Sequence, residues 1–194
     1  MQKLGGKKLE TQRIEFKDWE SIGFNFAEKL WKNKSVTEFL SSTGEFSYNT
    51  IEQRYNLEVS NYKNFNFQYF PLFYKENSEF IGCCGIKKYV GKLGRERLRE
   101  SSNISYTDAE LENLHEMGFH FLPEFWGKGL AEEAALKVME YSFNTLKSKA
   151  IFAGHNPKNI RSAKLLKKLG FILIGEKFFA PTGLIHPLYM LKQN

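Results

Sequence analysis

The chain has 194 residues, a formal net charge of +6, 42% apolar residues and 18 phenylalanines. That size and apolar content suit one domain with a sizeable core and exclude a disordered chain. A mean hydropathy of −0.45 and the lack of any apolar run near about 18 residues exclude a spanning helix.

In chain order, the start "MQKLGGKKLETQRIEF" has no apolar stretch behind its charges, so no secretory signal is read and the cytoplasm is expected. "LETQRIEFKDW" (9–19) reads as a first strand. Residues 19–60 place Phe24, Ala27, Leu30 and Trp31, then Ile51 and Tyr55, at helical spacing, broken by "SSTGEFS". Two or three short helices are predicted there. "FNFQYFPLFYK" and "EFIGCCGIKKY" flank the turn-like "ENS" and predict a hairpin. Residues 90–113 are polar and long for a connection, and "TDAELENL" within them predicts a short helix capped by Thr107 or Asp108.

"HEMGFHFL" (115–122) reads as a strand, and "KGLAEEAALKVMEYSFNTL" (128–146) as a helix with Leu130, Ala134, Val138 and Tyr141 on one side. "KAIFAGH" is a short buried strand, and "NIRSAKLLKKLG" (159–170) an amphipathic helix closed by Gly170. Asn156 is the expected cap of that helix, because Pro157 after it suits the first helical position. "FILIGEKFF" and "HPLYMLK" are closing strands. This order describes an α/β or α+β sheet with helices packed on it.

Cys83 and Cys84 are adjacent, and neighbours in an extended chain face opposite ways. They suit neither a disulfide nor a metal site and read as small, reduced core residues. Two runs concentrate the positive charge. "KKYVGKLGRERLR" (87–99) sets six bases against Glu96, and "KNIRSAKLLKK" (158–168) has five bases and no acid. Each is either a solvated face or one side of a phosphate-bearing ligand's site.

"FLPEFWGKGLA" (121–131) turns from strand to helix, and the first amides of that helix lack intrahelical partners. Gly127 and Gly129 remove Cβ atoms, so an anion has access to those N–H groups at the positive end of the helix dipole. The nucleotide P-loop is excluded, since Leu122 stands at its first glycine and Gly129 at its Ser/Thr; the dinucleotide fingerprint is excluded by Glu132 at its third glycine. The remaining pattern, with Trp126, Gly129 and Ala131, is close to Q/R-x-x-G-x-G/A. Glycines that serve only the turn are the other reading.

"NIRSAKLLKKLGF" resembles the N-x-x-S/A…G-F segment of the GCN5-related N-acetyltransferases (GNAT), and with "FWGKGLAEEA" it looks most like their RimJ/RimL-type branch of ribosomal-protein N-acetyltransferases. In that branch an aromatic commonly replaces the Gln/Arg, and Glu133 stands where a glutamate is found. "LETQRIEF" is similar to the branch's opening "LETERL" strand. The resemblance is specific over 115–175, loose over 9–20 and absent over 90–113.

The resemblance implies a GNAT fold: one domain over 1–194, with a mixed and mostly antiparallel sheet of six or seven strands, splayed at the cofactor site, with helices on both faces. It implies acetyl-CoA as cosubstrate and no metal. The pyrophosphate would lie on the amides of Trp126, Gly127, Lys128, Gly129, Leu130 and Ala131. Lys128 either adds charge there or is solvated. Pantetheine would fill the splay beside Phe119, His120, Phe121 and Leu122, with the amide of Phe121 or Leu122 as donor to the thioester oxygen. Asn159 matches an asparagine that bonds the pantetheine arm, or it simply starts the helix.

Acyl transfer needs an unprotonated amine, which at pH 7 costs about 4.6 kcal/mol for a lysine and about 1 kcal/mol for an α-amine. Glu116 matches a frequent glutamate that would take the proton directly or through water; otherwise it is a solvated strand-edge acid. Leu166 stands where many members carry a tyrosine that protonates the leaving sulfur. Ser162 is then the candidate for that role, or serves local hydrogen bonding. The implied activity is direct transfer of an acetyl group to a primary amine, on a protein N-terminus or a small molecule. The protein would be a monomer or homodimer, with neither membrane nor nucleic acid expected as a partner. An acetyl-CoA-binding sensor without chemistry is the alternative; an RNA-associated protein is supported only by charge.

Overall fold

The computed structural model describes residues 9–101 and 105–193. The first residues of the chain and 102–104 of the long connection lie outside the described residues. Seven strands, β1 (Ile14–Phe16), β2 (Tyr69–Tyr74), β3 (Glu79–Lys88), β4 (His115–Phe121), β5 (Ala150–Gly154), β6 (Ile172–Phe179) and β7 (Leu184–Lys192), form one sheet in the order β1-β2-β3-β4-β5-β7-β6. Only β4 and β5 run parallel; every other neighbouring pair is antiparallel. The result is a mixed, mostly antiparallel sheet of seven strands among the described residues, as the resemblance implied. The β4–β5 register covers only His115↔Ile151 and Glu116↔Phe152, and beyond Glu116 no ladder joins the two strands.

The helices are α1 (Trp19–Ile22), α2 (Phe24–Trp31), α3 (Lys34–Thr37), α4 (Tyr48–Phe65), α5 (Lys92–Glu100), α6 (Asp108–Glu112), α7 (Leu130–Glu140) and α8 (Ile160–Lys168). The front half therefore differs from the expected short helices. α4 has 18 residues, and it continues through "NYKNF" before Asn66 closes it in a left-handed conformation. Aromatic packing supports this weakly amphipathic helix: Phe24 of α2 meets Tyr48 and Tyr55 edge-on, with ring centroids at 5.4 and 5.5 Å. Phe65, the start of the expected strand, is thereby absorbed into the helix, Asn66 caps it, and β2 begins at Tyr69.

The charged connection holds α5 as well as the expected α6, which Thr107 caps as a full capping box. Periodicity missed α5 because it has few apolar positions; Leu98 drops fully into a second core cluster with Tyr89, Leu111, Leu114, Phe152 and Leu188, and Leu93 packs on its edge. All six bases of the 87–99 run are ion-paired, Lys87 to Glu116, Lys88 and Arg95 to Glu112, Lys92 to Glu96, Arg97 to Glu100 and Arg99 to Asp108. The run is thus largely an ion-paired surface rather than a free basic patch. Cys83 and Cys84 are free and fully buried, and burial pushes both thiols up, out of reach of nucleophilic chemistry.

Candidate active site

A cavity of about 920 Å³ opens where the β4–β5 ladder stops. The loop 126–131 and α8 line one end, and α3 and α4 line the other.

At the first end, Gly127 and Gly129 both have φ of +75°, the left-handed region that glycine enters without cost. A Cβ on Gly127 would meet nothing within 4 Å. The amides of Gly127, Lys128, Gly129, Leu130 and Ala131 have no partner among the described residues, and Gly129 caps α7 without a side-chain bond. The Trp126 amide differs from expectation, since it donates to the Pro123 carbonyl at 3.1 Å and is closed to a ligand. The Trp126 side chain instead braces the loop: its indole N–H donates to the Phe121 carbonyl at 2.7 Å, and the Arg161 guanidinium sits 4.5 Å from its ring centroid. Arg161 and Lys164 of α8 line the cavity here. Five free amides and two cations make an anion site of the right kind for a diphosphate. The Lys128 side chain does not contribute its charge there: its ammonium lies 5.2 Å from the Phe125 ring centroid and lines a separate small pocket.

β4 supplies the floor. Leu122 N–H donates to Ile81 O at 3.0 Å and Tyr89 N–H to Leu114 O at 2.8 Å, one at each end of the β3–β4 ladder. The alternation of an antiparallel ladder then commits the even-numbered residues of β4 to β3 and turns the N–H groups of Phe119 and Phe121 toward the gap. The Leu122 amide is therefore spent on Ile81, and Leu122 does not line the cavity. Of the two expected oxyanion donors, only Phe121 remains available.

The even-numbered side chains Glu116 and His120 face the cavity, with Gly118 between them. Glu116 lies where the ladder ends, its carboxylate 3.7 Å from Lys87 and 3.5 Å from Lys177. His120 accepts the Trp31 indole N–H on Nδ1 at 3.2 Å, so a neutral ring carries its proton on Nε2. Burial holds this histidine down to about 3, which keeps it neutral. His115 points the other way, to Ser142 and the ring of Phe67.

α8 begins at Asn159, whose Oδ1 accepts the Ser162 N–H at 3.1 Å. Asn159 is thus the cap; Asn156 instead accepts from Lys158 N–H, one turn earlier. Asn159 and Ser162 both line the cavity, and the Ser162 hydroxyl makes no hydrogen bond among the described residues. Leu166 also lines it, and no tyrosine of α8 replaces it.

Three residues at the far end were not singled out from the sequence: Arg54 and Glu58 of α4, and Tyr69 of β2. Glu58 is 4% exposed; its Oε2 accepts the Tyr69 N–H at 2.7 Å, and burial pushes its carboxyl up to about 7. The Tyr69 side chain runs across the sheet to Gly118, where a Cβ would lie 2.5 Å from its hydroxyl oxygen. Gly118 is thus required by close approach. No sequence signal marks these residues, because the fold alone brings α4 to β4. The basic run 158–168, by contrast, did point to Arg161 and Lys164.

The structure therefore gathers Glu116, Phe119, His120, Phe121, Trp126, Gly127, Gly129, Leu130, Ala131, Asn159 and Ser162 around one cavity, and leaves Leu122 and the Lys128 side chain outside it. A family model described as an acetyltransferase (GNAT) domain matches residues 9–172. The uncharacterized N-acetyltransferase YoaA of Bacillus subtilis (strain 168) is 39% identical over 166 residues, covering 84% of this chain and 81% of that protein. YnaD of the same organism, also named an uncharacterized N-acetyltransferase, is 27% identical over 164 residues, covering 84% and 79%. Among solved structures, a GNAT-family acetyltransferase from Bacillus anthracis superposes with a TM-score of 0.71 at 20% identity over 96% of this chain and 98% of that one. Spermidine N-acetyltransferase from Vibrio cholerae, solved with CoA and spermine, gives 0.68 at 17% identity over 94% and 97%. Matched by the family model over most of its length and carrying the family's open loop and parted strands, the chain belongs to the GNAT acetyltransferases.

Proposed function

We propose that this acetyltransferase works as a single cytoplasmic domain of the RimJ/RimL type and moves an acetyl group from acetyl-CoA to a primary amine by direct transfer. The observation that carries the donor assignment is the run of five unpartnered amides from Gly127 to Ala131 beside Arg161 and Lys164. The fold neighbour solved with CoA supports it. Acetyl-CoA, when bound, supplies an activated thioester. The loop amides would hold its diphosphate, and the parted edges of β4 and β5 its pantetheine arm. Asn159 keeps its side-chain N–H₂ for that arm, because only its Oδ1 is used in capping.

Phe121 N–H is the donor that would polarise the thioester oxygen. Glu116 is the base: it sits on the cavity wall at the point where the strands part, and Lys87 and Lys177 keep its carboxylate in place. Ser162, with a free hydroxyl in the first turn of α8, is the group that would return a proton to the sulfur.

CoA release in the presence of an amine panel tests this reading. Amine-dependent release is expected, and Glu116→Gln should slow it about 100-fold for amines of lysine-like basicity but under about tenfold for α-amines. Acetyl-CoA that binds without any amine-dependent release would make the protein a sensor, which Leu166 in place of the tyrosine allows.

A further inference from the structure

The acceptor end of the cavity carries an excess of positive charge. Arg54 lines it from α4, its guanidinium 5.4 Å from the Trp31 ring centroid and 5.0 Å from that of Phe46. Those rings fix the group without satisfying it, since Arg54 has neither an ion pair nor a hydrogen bond among the described residues. Lys87 and Lys177 share the single Glu116 carboxylate. The other acid, Glu58, stands one turn beyond Arg54, and burial pushes it up to about 7, which weakens its negative charge near neutral pH. Burial pushes Tyr69 and Cys83 up and holds His120 down, so none of these three neighbours adds a charge. Three cations thus face one full and one partial negative charge.

Such a chamber repels a polycation and eases proton loss from an amine held in it. It attracts an acceptor that brings its own anion. A guanidinium is suited to that task, because its planar fork takes a carboxylate through two parallel hydrogen bonds. Reach is also adequate: Tyr69 touches Glu58 with its backbone and Gly118 of β4 with its hydroxyl, so one side chain spans the distance from α4 to the strand where transfer occurs.

We propose that Arg54 anchors a carboxylate on the acceptor, so that the preferred substrates are amines with a carboxylate close to the nitrogen. A free amino acid and a peptide beginning with an acidic residue both offer that chemistry. The proposal rests on the acetyl-transfer reading above.

The test compares kcat/KM for matched acceptors: free amino acids against their carboxamides, and Asp-initiated peptides against Asn-initiated ones. A linear polyamine is the cationic control, and acetyl-CoA affinity is titrated in parallel. The wild type should favour the carboxylate member of at least one matched pair by about tenfold or more, the amino-acid arm marking a small-molecule enzyme and the peptide arm a polypeptide enzyme. Arg54→Gln should raise KM for that member about tenfold with kcat nearly unchanged and erase the preference. Arg54→Lys, which keeps charge but not the fork, should restore only part of it. Unchanged acetyl-CoA affinity in both variants shows that they are folded. Equal use of carboxylate and carboxamide acceptors, acetylation of the polyamine in preference to both, no acetylation of any carboxylate-bearing amine, or an Arg54→Gln variant that keeps the preference would each overturn the assignment while leaving acetyl-CoA binding intact. A wild type that does not bind acetyl-CoA would instead bring down both readings.

Discussion

Arg13 Nε lies 2.6 Å from Glu133 Oε2, and this pair ties the chain just before the first strand to the loop at the cavity mouth. Glu133 also accepts from Thr11 Oγ1 at 2.6 Å and from Arg13 N–H at 3.0 Å, while Arg13 Nη1 donates to the Lys128 carbonyl at 3.1 Å. The opening "LETQR" and the glutamate of "GLAEEA" are therefore two halves of one polar brace. Its product is a loop held with its amides outward before any ligand arrives. Because the pair is partly exposed, its value is modest. Glu133→Gln should weaken acetyl-CoA binding about threefold to tenfold by calorimetry, with a small drop in Tm, although Glu133 does not itself face the cavity.

Gly127 offers a cleaner test of the loop. Gly127→Ala meets no neighbour within 4 Å but forces a side chain into φ +75°, at a cost of about 1 kcal/mol. The variant should remain folded, while its Kd for acetyl-CoA rises at least about tenfold, since the new methyl shifts or covers the amides. An unchanged Kd would mean that the loop serves only the turn.

Charge at the two basic runs should separate by function. Arg161→Ala and Lys164→Ala should each lower acetyl-CoA affinity several-fold, and the wild-type affinity should fall as salt is raised. Arg97→Ala and Arg99→Ala should leave it unchanged, because those bases are spent on Glu100 and Asp108. The same pairing predicts no saturable RNA binding at physiological salt.

Glu58 and His115 give opposite pH signatures in stability. The folded-state carboxyl of Glu58 is raised from 4.5 to about 7, so stability is full below about pH 4.5 and is lost as pH rises through 7, by about 3 kcal/mol. Urea melts at pH 5 and pH 8 should show Glu58→Gln gaining on the wild type at the higher pH. Burial holds His115 down to about 4, so its share is present above pH 6.5 and lost as pH falls through 4. His115→Gln should flatten that acid limb.

Much of this site was legible because it is built from local turn chemistry. Two glycines before a helix, an acid at the start of the β4 strand and an Asn-x-x-Ser helix start each carry their meaning within a few residues. What escaped was set by contacts distant in sequence. α4 is longer than its weak periodicity suggested, and contacts distant in sequence hold both of its halves, Phe24 on Tyr48 and Tyr55 and Phe70 on Tyr62. α5 is held by two leucines, Leu93 and Leu98, that reach a second core. Which amides are free depended on ladder pairing: Leu122 looked equivalent to Phe121 until the register committed it to Ile81. Asn156 lost the cap to Asn159 because its own Oδ1 accepts the Lys158 N–H in a turn that precedes the helix. Arg54, Glu58 and Tyr69 read as ordinary helix and strand residues, and only the approach of α4 to β4 gives them a common cavity.

The structure of the protein with CoA bound tests the central claim most directly. Diphosphate oxygens are expected about 3 Å from at least two amides among Gly127 to Ala131, with the pantetheine arm between β4 and β5 beyond Glu116. CoA bound elsewhere, or a diphosphate held only by side chains with those amides turned to water, would contradict it.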